Sequence, residues 1–333
     1  MVYIEPNVTD AAFCLAAEEY VMKNFSKEYP EEPVFMFWQT QTCVVIGRNQ
    51  IAAAEIDLQA ANSLGVKIFR RSSGGGAIFS DAGNFMHSLI VPFEKSDNPK
   101  TIEFEMCAKF IAGALGKMGI PAVAEGRNDI TVEGKKISGL AQYAIKNRLC
   151  THGSLLYDTN LELLVRVLQT DPEKISSKAI SSIRARVVNL CEYFKPKISP
   201  ENFFERLKIH MFDSGGIKRH DFTKEEIERI NLIKAEKYAN PEWITGAAPK
   251  FCFHKSRHFT AGKLEIFLDV ERGIIKSCKI FGDFLGIYPV EELEQKLTNA
   301  PHEFAALDEI LKTIDLRLYL GEMKREEVLE CLF

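Results

Sequence analysis

Apolar residues recur along this chain with two periods, and the points where the period changes outline its elements. After Thr9-Asp10, a pair suited to capping a helix, Phe13, Ala16, Ala17, Tyr20 and Val21 return at helical spacing. Two strand-like runs follow, VFMFWQT and TCVVIG. The run EIDLQAANSLG predicts a helix stopped by Gly65. A strand, VKIFRR, leads into SSGGG, then AIF, a turn at SDAGN, and the strand FMHSLIV. Phe104, Ala108, Ile111 and Leu115 line one face of a helix predicted from about Ile102 to Gly119. From Ala122 to Leu156 the pattern returns to strands: AVAE, DITVEG, KKISGLAQYAI and LCTHGSLLYD, with Glu133-Gly134 as a hairpin turn. Residues 160 to 240 read as mostly helical, and composition shifts at Asn240-Pro241. Beyond it lie strands such as KLEIFLDVERG and IIKSCKIFGDF, and helices from about Val290 onward. The pattern predicts a mixed α/β main domain, 1–244, and a smaller α+β domain, 245–333.

Composition narrows the choice of function without making it. A chain of 333 residues with 46% hydrophobic and 26% charged residues can bury a large core without metals or disulfides. A net charge of -4 gives no cationic excess for nucleic acid. The first residues lack the basic start and apolar run of a secretory signal, and no apolar stretch is long enough to span a bilayer. The eight cysteines stand singly, mostly in apolar runs, as buried thiols do in a reducing compartment. A cytoplasmic protein is expected, with no nucleic-acid or membrane partner. Cys252, His254 and His258 lie close together but match no zinc spacing.

Three stretches carry candidate chemistry. In RRSSGGGAIF, Arg70 to Phe79, successive glycines let backbone N–H groups approach an anion. Arg70 and Arg71 sit on neighbouring strand positions and point to opposite faces, so only one can line a given pocket. The stretch is neither a Walker A loop nor a GxGxxG fingerprint. Taken alone, it also fits a tight hairpin with surface arginines. In GRNDITVEGKKISGLAQ, Asn128 and Asp129 can bind Mg²⁺ or a base, and one of Lys135 and Lys136 can point inward beside Ser138-Gly139. Taken alone, this fits an exposed hairpin with solvated lysines better than it fits a site. In THGSLLYD, His152 lies in an apolar strand, as either a pocket residue or a satisfied core histidine. Trp38, in VFMFW, is core by default, though a flat aromatic suits the wall of an aliphatic acyl pocket.

Together these stretches resemble the lipoate–protein ligase A family, in the family's order and over nearly the whole chain. The matching segments are VVIGRNQ, RRSSGGGAIF…DAGN, GRND…KKISG, HGSLL and KAISSIRARVVNL, and FTAGKLEIFLDVERGII resembles the start of the family's C-terminal domain. The resemblance implies the mixed sheet flanked by helices that is shared by biotin ligases and class II synthetase catalytic domains. It also implies ATP and Mg²⁺ as cofactors, lipoate as substrate, and a monomer acting on lipoyl domains of 2-oxoacid dehydrogenases or the glycine cleavage H protein. Lys136 would be the catalytic lysine, contacting both the acyl carbonyl and the adenylate phosphate. Arg71 and the Gly76, Ala77, Ile78 and Phe79 backbone would bind the nucleotide. Asn128 and Asp129 would meet adenine and the metal-bound phosphates, Asp129 as the magnesium ligand. Trp38, Arg70, Gly75, Ser138, Gly139 and His152 would border the lipoyl chain. Lys178, Ser182, Arg184 and Arg186 would lie in a loop that closes over the adenylate. Where many relatives have His-Asp after AVF, this chain has Ser80-Asp81, so no histidine is expected to act there.

The implied reaction has two steps, activation of lipoate to lipoyl-AMP and transfer to an acceptor lysine. The rival reading is an octanoyl or lipoyl transferase that needs no ATP. It would need a nucleophilic cysteine near the lysine strand, and AVAEGRNDITVEG contains none.

Overall fold

The computed structural model describes residues 1–93, 104–126, 128–168, 185–213, 215–245 and 253–333. In chain order its strands are β1 (Val2–Ile4), β2 (Val34–Trp38), β3 (Cys43–Ile46), β4 (Lys67–Arg70), β5 (Ile78–Ser80), β6 (Asn84–Pro92), β7 (Ala122–Glu125), β8 (Asp129–Val132), β9 (Lys135–Ile145), β10 (Arg148–Leu156), β11 (Lys218–Arg219), β12 (Phe253–Phe259), β13 (Gly262–Glu271) and β14 (Ile274–Gly282). Eight of them form one sheet, ordered β11-β1-β2-β6-β10-β9-β8-β7. Its β11-β1-β2 edge is parallel and the rest antiparallel.

Both faces of this sheet are covered, which explains why its central strands read as nearly unbroken apolar runs. Val34, Met36 and Trp38 of β2 point to one face, where they pack with Met86, Ile90, Tyr143 and Cys150 against helix Ala11–Glu28. Phe35 and Phe37 point to the other, where they pack with Phe85, Leu89, Ile130 and Leu155 against helices Glu105–Lys117 and Pro200–Met211. The first helix starts where predicted, because the Asp10 side chain accepts from the N–H groups of Ala12 and Phe13.

A second sheet, β4-β3-β5, packs Val44, Ile46 and Phe79 against short helices and against Val167 of helix Leu161–Leu168. The stretch predicted as one helix before Gly65 is two short ones, Ala52–Glu55 and Leu58–Ser63. Asp57 breaks the run, since it is extended and caps the second helix through Ala60 N–H. Glu133 and Gly134 adopt φ of +52° and +73°, the left-handed pair of a two-residue hairpin turn, as their sequence predicts.

Residues from Phe253 onward form the antiparallel sheet β12-β13-β14 and helices that share a core of Leu264, Ile266, Leu268, Leu293, Leu307 and Leu329. This unit touches the first through backbone. Gly282 N–H donates to Asn49 O (2.8 Å), Gly75 N–H to Phe284 O (3.1 Å) and Ala144 N–H to Ile287 O (3.1 Å). No helix among the described residues is long and apolar enough to cross a membrane.

Candidate active site

The glycine-rich loop after β4 is built by its two arginines, and both are buried rather than on the surface. Arg71 faces inward, and its guanidinium donates to Val45 O (3.0 Å), Gly74 O (2.6 Å), Gly76 O (2.8 Å) and Ser73 Oγ (3.0 Å). Burial pushes its pKa down to about 10, so it remains a cation at neutral pH. Arg71, expected to bind the nucleotide, thus holds the backbone of the glycine-rich loop in shape. Arg70 turns to the opposite side, as alternation requires. It donates to Gly47 O, Arg48 O and Gln50 O, and to Trp243 O and Ile244 O of helix Pro241–Thr245. Arg70, expected to border the acyl chain, is thus engaged with these backbone carbonyls. Close packing explains the glycines. A methyl on Gly47 would lie 2.1 Å from Gly75 O, and Gly75 itself has φ +86°. Past the loop, Gly76 is exposed, Ala77 and Ile78 are half-buried, and the Phe79 side chain enters the core.

The expected catalytic lysine lies across the sheet from Trp38. Lys136 pairs with Thr131, and a bulge between Ile130 and Thr131 re-aims the strand there. The lysine Nζ lies 2.8 Å from Asp129 Oδ1, with both side chains about a third exposed. Gly139 makes this possible, since a methyl there would stand 2.8 Å from Lys136 Nζ and 2.9 Å from its Cε. Lys136 O accepts from Val188 N–H, which ties the returning chain to the lysine strand. Asn128 is held by β9: its side chain donates to Leu140 O and its carbonyl accepts Leu140 N–H. Ser138 is opposite Ile130 and Leu155, and cross-strand partners share a face. Ser138, expected to border the lipoyl chain, therefore turns its side chain into the far core, away from Lys136.

His152 belongs to a buried polar network that sequence reasoning missed. Its Nδ1 lies 2.9 Å from Glu18 Oε2 and its Nε2 2.6 Å from Ser73 Oγ. Tyr143 OH and Ser88 Oγ also donate to Glu18. Burial alone would raise the Glu18 pKa, but the His152 charge and the donors from His152, Ser88 and Tyr143 outweigh it and hold it below the usual carboxylate range. The chain Glu18–His152–Ser73–Arg71 thus links the first helix to the glycine-rich loop. A signal was present, because Glu18 occupies the inward stripe Ala11, Cys14, Leu15, Val21, Phe25, where an unpaired carboxylate would be costly. Cys150 Sγ lies beside Glu18 and His152, and burial raises its pKa well above the ordinary value, which argues against a thiolate nucleophile.

Of the remaining expected residues, Lys178, Ser182 and Arg184 lie outside the described residues, and Arg186 is exposed. Asp81 accepts from Gly83 N–H and Asn160 N–H, a turn-forming role. His254 stacks on Phe267 in the C-terminal sheet, and Cys252 lies outside the described residues.

Comparison with known proteins places this geometry. Residues 10–212 match the lipoyl protein ligase A/B catalytic domain and residues 248–332 the bacterial lipoate protein ligase C-terminus. The lipoate-protein ligase LplJ of Bacillus subtilis is 35% identical over 337 residues, covering 100% of both chains. Among solved structures, P. falciparum LipL1 in complex with lipoate superposes with a TM-score of 0.78 at 25% identity, covering 99% of this chain and 97% of that one. The bi-partite lipoate protein ligase of Thermoplasma acidophilum, solved in a study with its E2 lipoyl domain, gives 0.64 at 25% identity, covering 76% of this chain and 98% of that one. This chain belongs to the lipoyl protein ligase A/B family, and carries that family's bacterial C-terminal domain.

Proposed function

We propose that the protein is an ATP-dependent lipoate–protein ligase, in which residues 1–244 form the catalytic domain and 245–333 an accessory domain. Lipoate and MgATP give lipoyl-AMP and pyrophosphate. The ε-amine of an acceptor lysine then attacks the acyl carbonyl, forming the amide, releasing AMP and losing one proton. The observation that carries this reading is the position of Lys136. It is a partly exposed cation resting on Gly139, beside Asp129, on the sheet face that also holds His152 and Trp38.

Both steps build or discharge negative charge at one place, where the α-phosphate meets the acyl carboxylate. A fixed ammonium there stabilises both transition states. Backbone N–H groups at Gly76, Ala77 and Ile78 add dipoles, and Arg71 and the Glu18–His152–Ser73 chain hold that loop in shape. Asp129 fits Mg²⁺, which is commonly bound by one or two carboxylates together with substrate phosphates. When bound, the ion would neutralise phosphate charge. Asn128 positions Asp129 through its double hydrogen bond to β9.

The acceptor class we assign is a lipoyl domain or the glycine cleavage H protein, the protein acting as a monomer in the cytoplasm. The buried, high-pKa Cys150 weighs against the ATP-independent transferase. The test is lipoate-dependent release of pyrophosphate from MgATP. The wild type releases it and Lys136→Ala does not; adenylation by Lys136→Ala at the wild-type rate would refute the assignment of Lys136.

A further inference from the structure

Helix Pro241–Thr245 is the last described element before the C-terminal unit, and the glycine-rich loop is tied to it. Carbonyls in the last turn of a helix have no partner within it. Arg70 supplies one: its Nε donates to Trp243 O (2.8 Å) and Ile244 O (3.1 Å), while Trp243 Nε1 donates back to Arg70 O (3.0 Å). The same guanidinium binds the carbonyls of Gly47, Arg48 and Gln50, and Arg48 N–H donates to Ser73 O (2.8 Å). The helix, the glycine-rich loop and the turn after β3 therefore meet at one arginine.

The Trp243 ring makes a second tie. Lys237 Nζ lies 4.4 Å from its centroid and the Arg48 guanidinium carbon 5.7 Å, both within cation–π range. Each cation is also paired, Arg48 with Glu291 of the C-terminal unit (2.9 Å) and Lys237 with Glu19 of the first helix (2.6 Å). Lys237 Nζ donates as well to Ser72 Oγ (2.8 Å), inside the loop. Residues Lys234–Tyr238 form a π-helical turn, a rare geometry that recurs at functional sites. Its wider spacing brings two successive side chains to the same partners, since Tyr238 OH also meets Glu19 and Ser72, at 2.7 Å each. One row of contacts thus runs from Glu291 to Glu19 through the Trp243 ring and takes in Ser72. Trp243 is only partly buried, so its ring contributes more by facing two cations than by filling a core.

Resting on the ligase reading above, we infer that Trp243 is a positioning residue for MgATP. Its backbone holds Arg70 and its ring holds Arg48 and Lys237, and together these fix the base of the loop whose Gly76, Ala77 and Ile78 N–H groups meet the phosphates. Trp243 acts through that loop.

Calorimetric binding of MgATP to the full-length protein tests this, with two substitutions that both keep an apolar side chain at a partly exposed site. Trp243→Phe retains a ring beside the two cations and binds MgATP within about threefold of the wild type. Trp243→Leu retains bulk but has no aromatic face, and weakens MgATP roughly tenfold. A residue that only packs the helix onto the domain would give the opposite order or none, because leucine fills the space nearly as well as phenylalanine. Wild-type affinity in Trp243→Leu, or equal weakening in both variants, would overturn the inference. Lipoate-dependent pyrophosphate release is measured in parallel. Graded MgATP binding without release in the wild type leaves the positioning role standing and removes the ligase. Normal release with unmoved MgATP affinity does the reverse, and a wild type that binds no MgATP overturns both.

Discussion

At the scale of single residues, the chain separates groups that act from groups that hold. Lys136 is the group proposed to act, and Lys136→Ala is expected to lower pyrophosphate release by on the order of a thousandfold, comparable with deleting a key transition-state donor. Arg70 and Arg71 hold, which the pattern RRSSGGG alone does not reveal: a guanidinium that binds backbone carbonyls and one that binds phosphate leave the same letters in a sequence. His87 gives a different kind of prediction. It is fully buried, with Cys107 Sγ 3.8 Å from its Nδ1, the Phe35 ring stacked on it and the Phe37 ring tilted beside it. Burial, then the His152 charge, pushes its pKa down to about 3. A folded-state pKa below the unfolded value of about 6.5 means the unfolded chain takes the proton first, so stability is full above that value and declines as pH falls toward 3. The loss at pH 5 is about 2 kcal/mol by linkage. Urea melts at pH 7.5 and pH 5 measure it, and His87→Leu flattens the difference by that amount; an unchanged pH dependence in the variant would show that His87 does not carry it.

At the scale of elements, position in the sheet explains the site better than local propensity does. The hairpin at Glu133-Gly134 and the helix after Asp10 were legible because turn and cap chemistry is written in adjacent residues. The break at Asp57 was not, since apolar periodicity continues through it and only the cap reveals it. The face on which Ser138 lies was hidden for a similar reason. The bulge beside it shifts which residues share a face, and one slipped residue inverts inside and outside. Gly139→Ala tests how closely this element is matched to its lysine. The new methyl would stand 2.8 Å from Lys136 Nζ. The ammonium must move, and kcat/KM for pyrophosphate release is expected to fall on the order of a hundredfold while the melting temperature changes little. A variant as active as the wild type would mean that the lysine works from another position.

At the scale of the whole molecule, the eight-stranded sheet supplies the face, helix Ala11–Glu28 supplies Glu18, and the C-terminal unit reaches the glycine-rich loop through Phe284. None of these long-range meetings is visible in periodicity, because it reports which side of an element is buried and not what buries it. The order of the motifs along the chain made the family legible; the Glu18–His152–Ser73 network, spanning residues 18 to 152, was not. The separate core of Leu264, Leu293 and Leu329 predicts that residues 245–333, expressed alone, unfold cooperatively with a two-state thermal transition. A featureless melt would make the division near residue 245 wrong.

Incubating the protein with MgATP, lipoate and an apo lipoyl domain, then weighing the acceptor, tests the ligase assignment directly. The expected result is a gain of one lipoyl group that requires both ATP and lipoate. No gain under those conditions, together with octanoyl transfer from octanoyl acyl carrier protein without ATP, would contradict it.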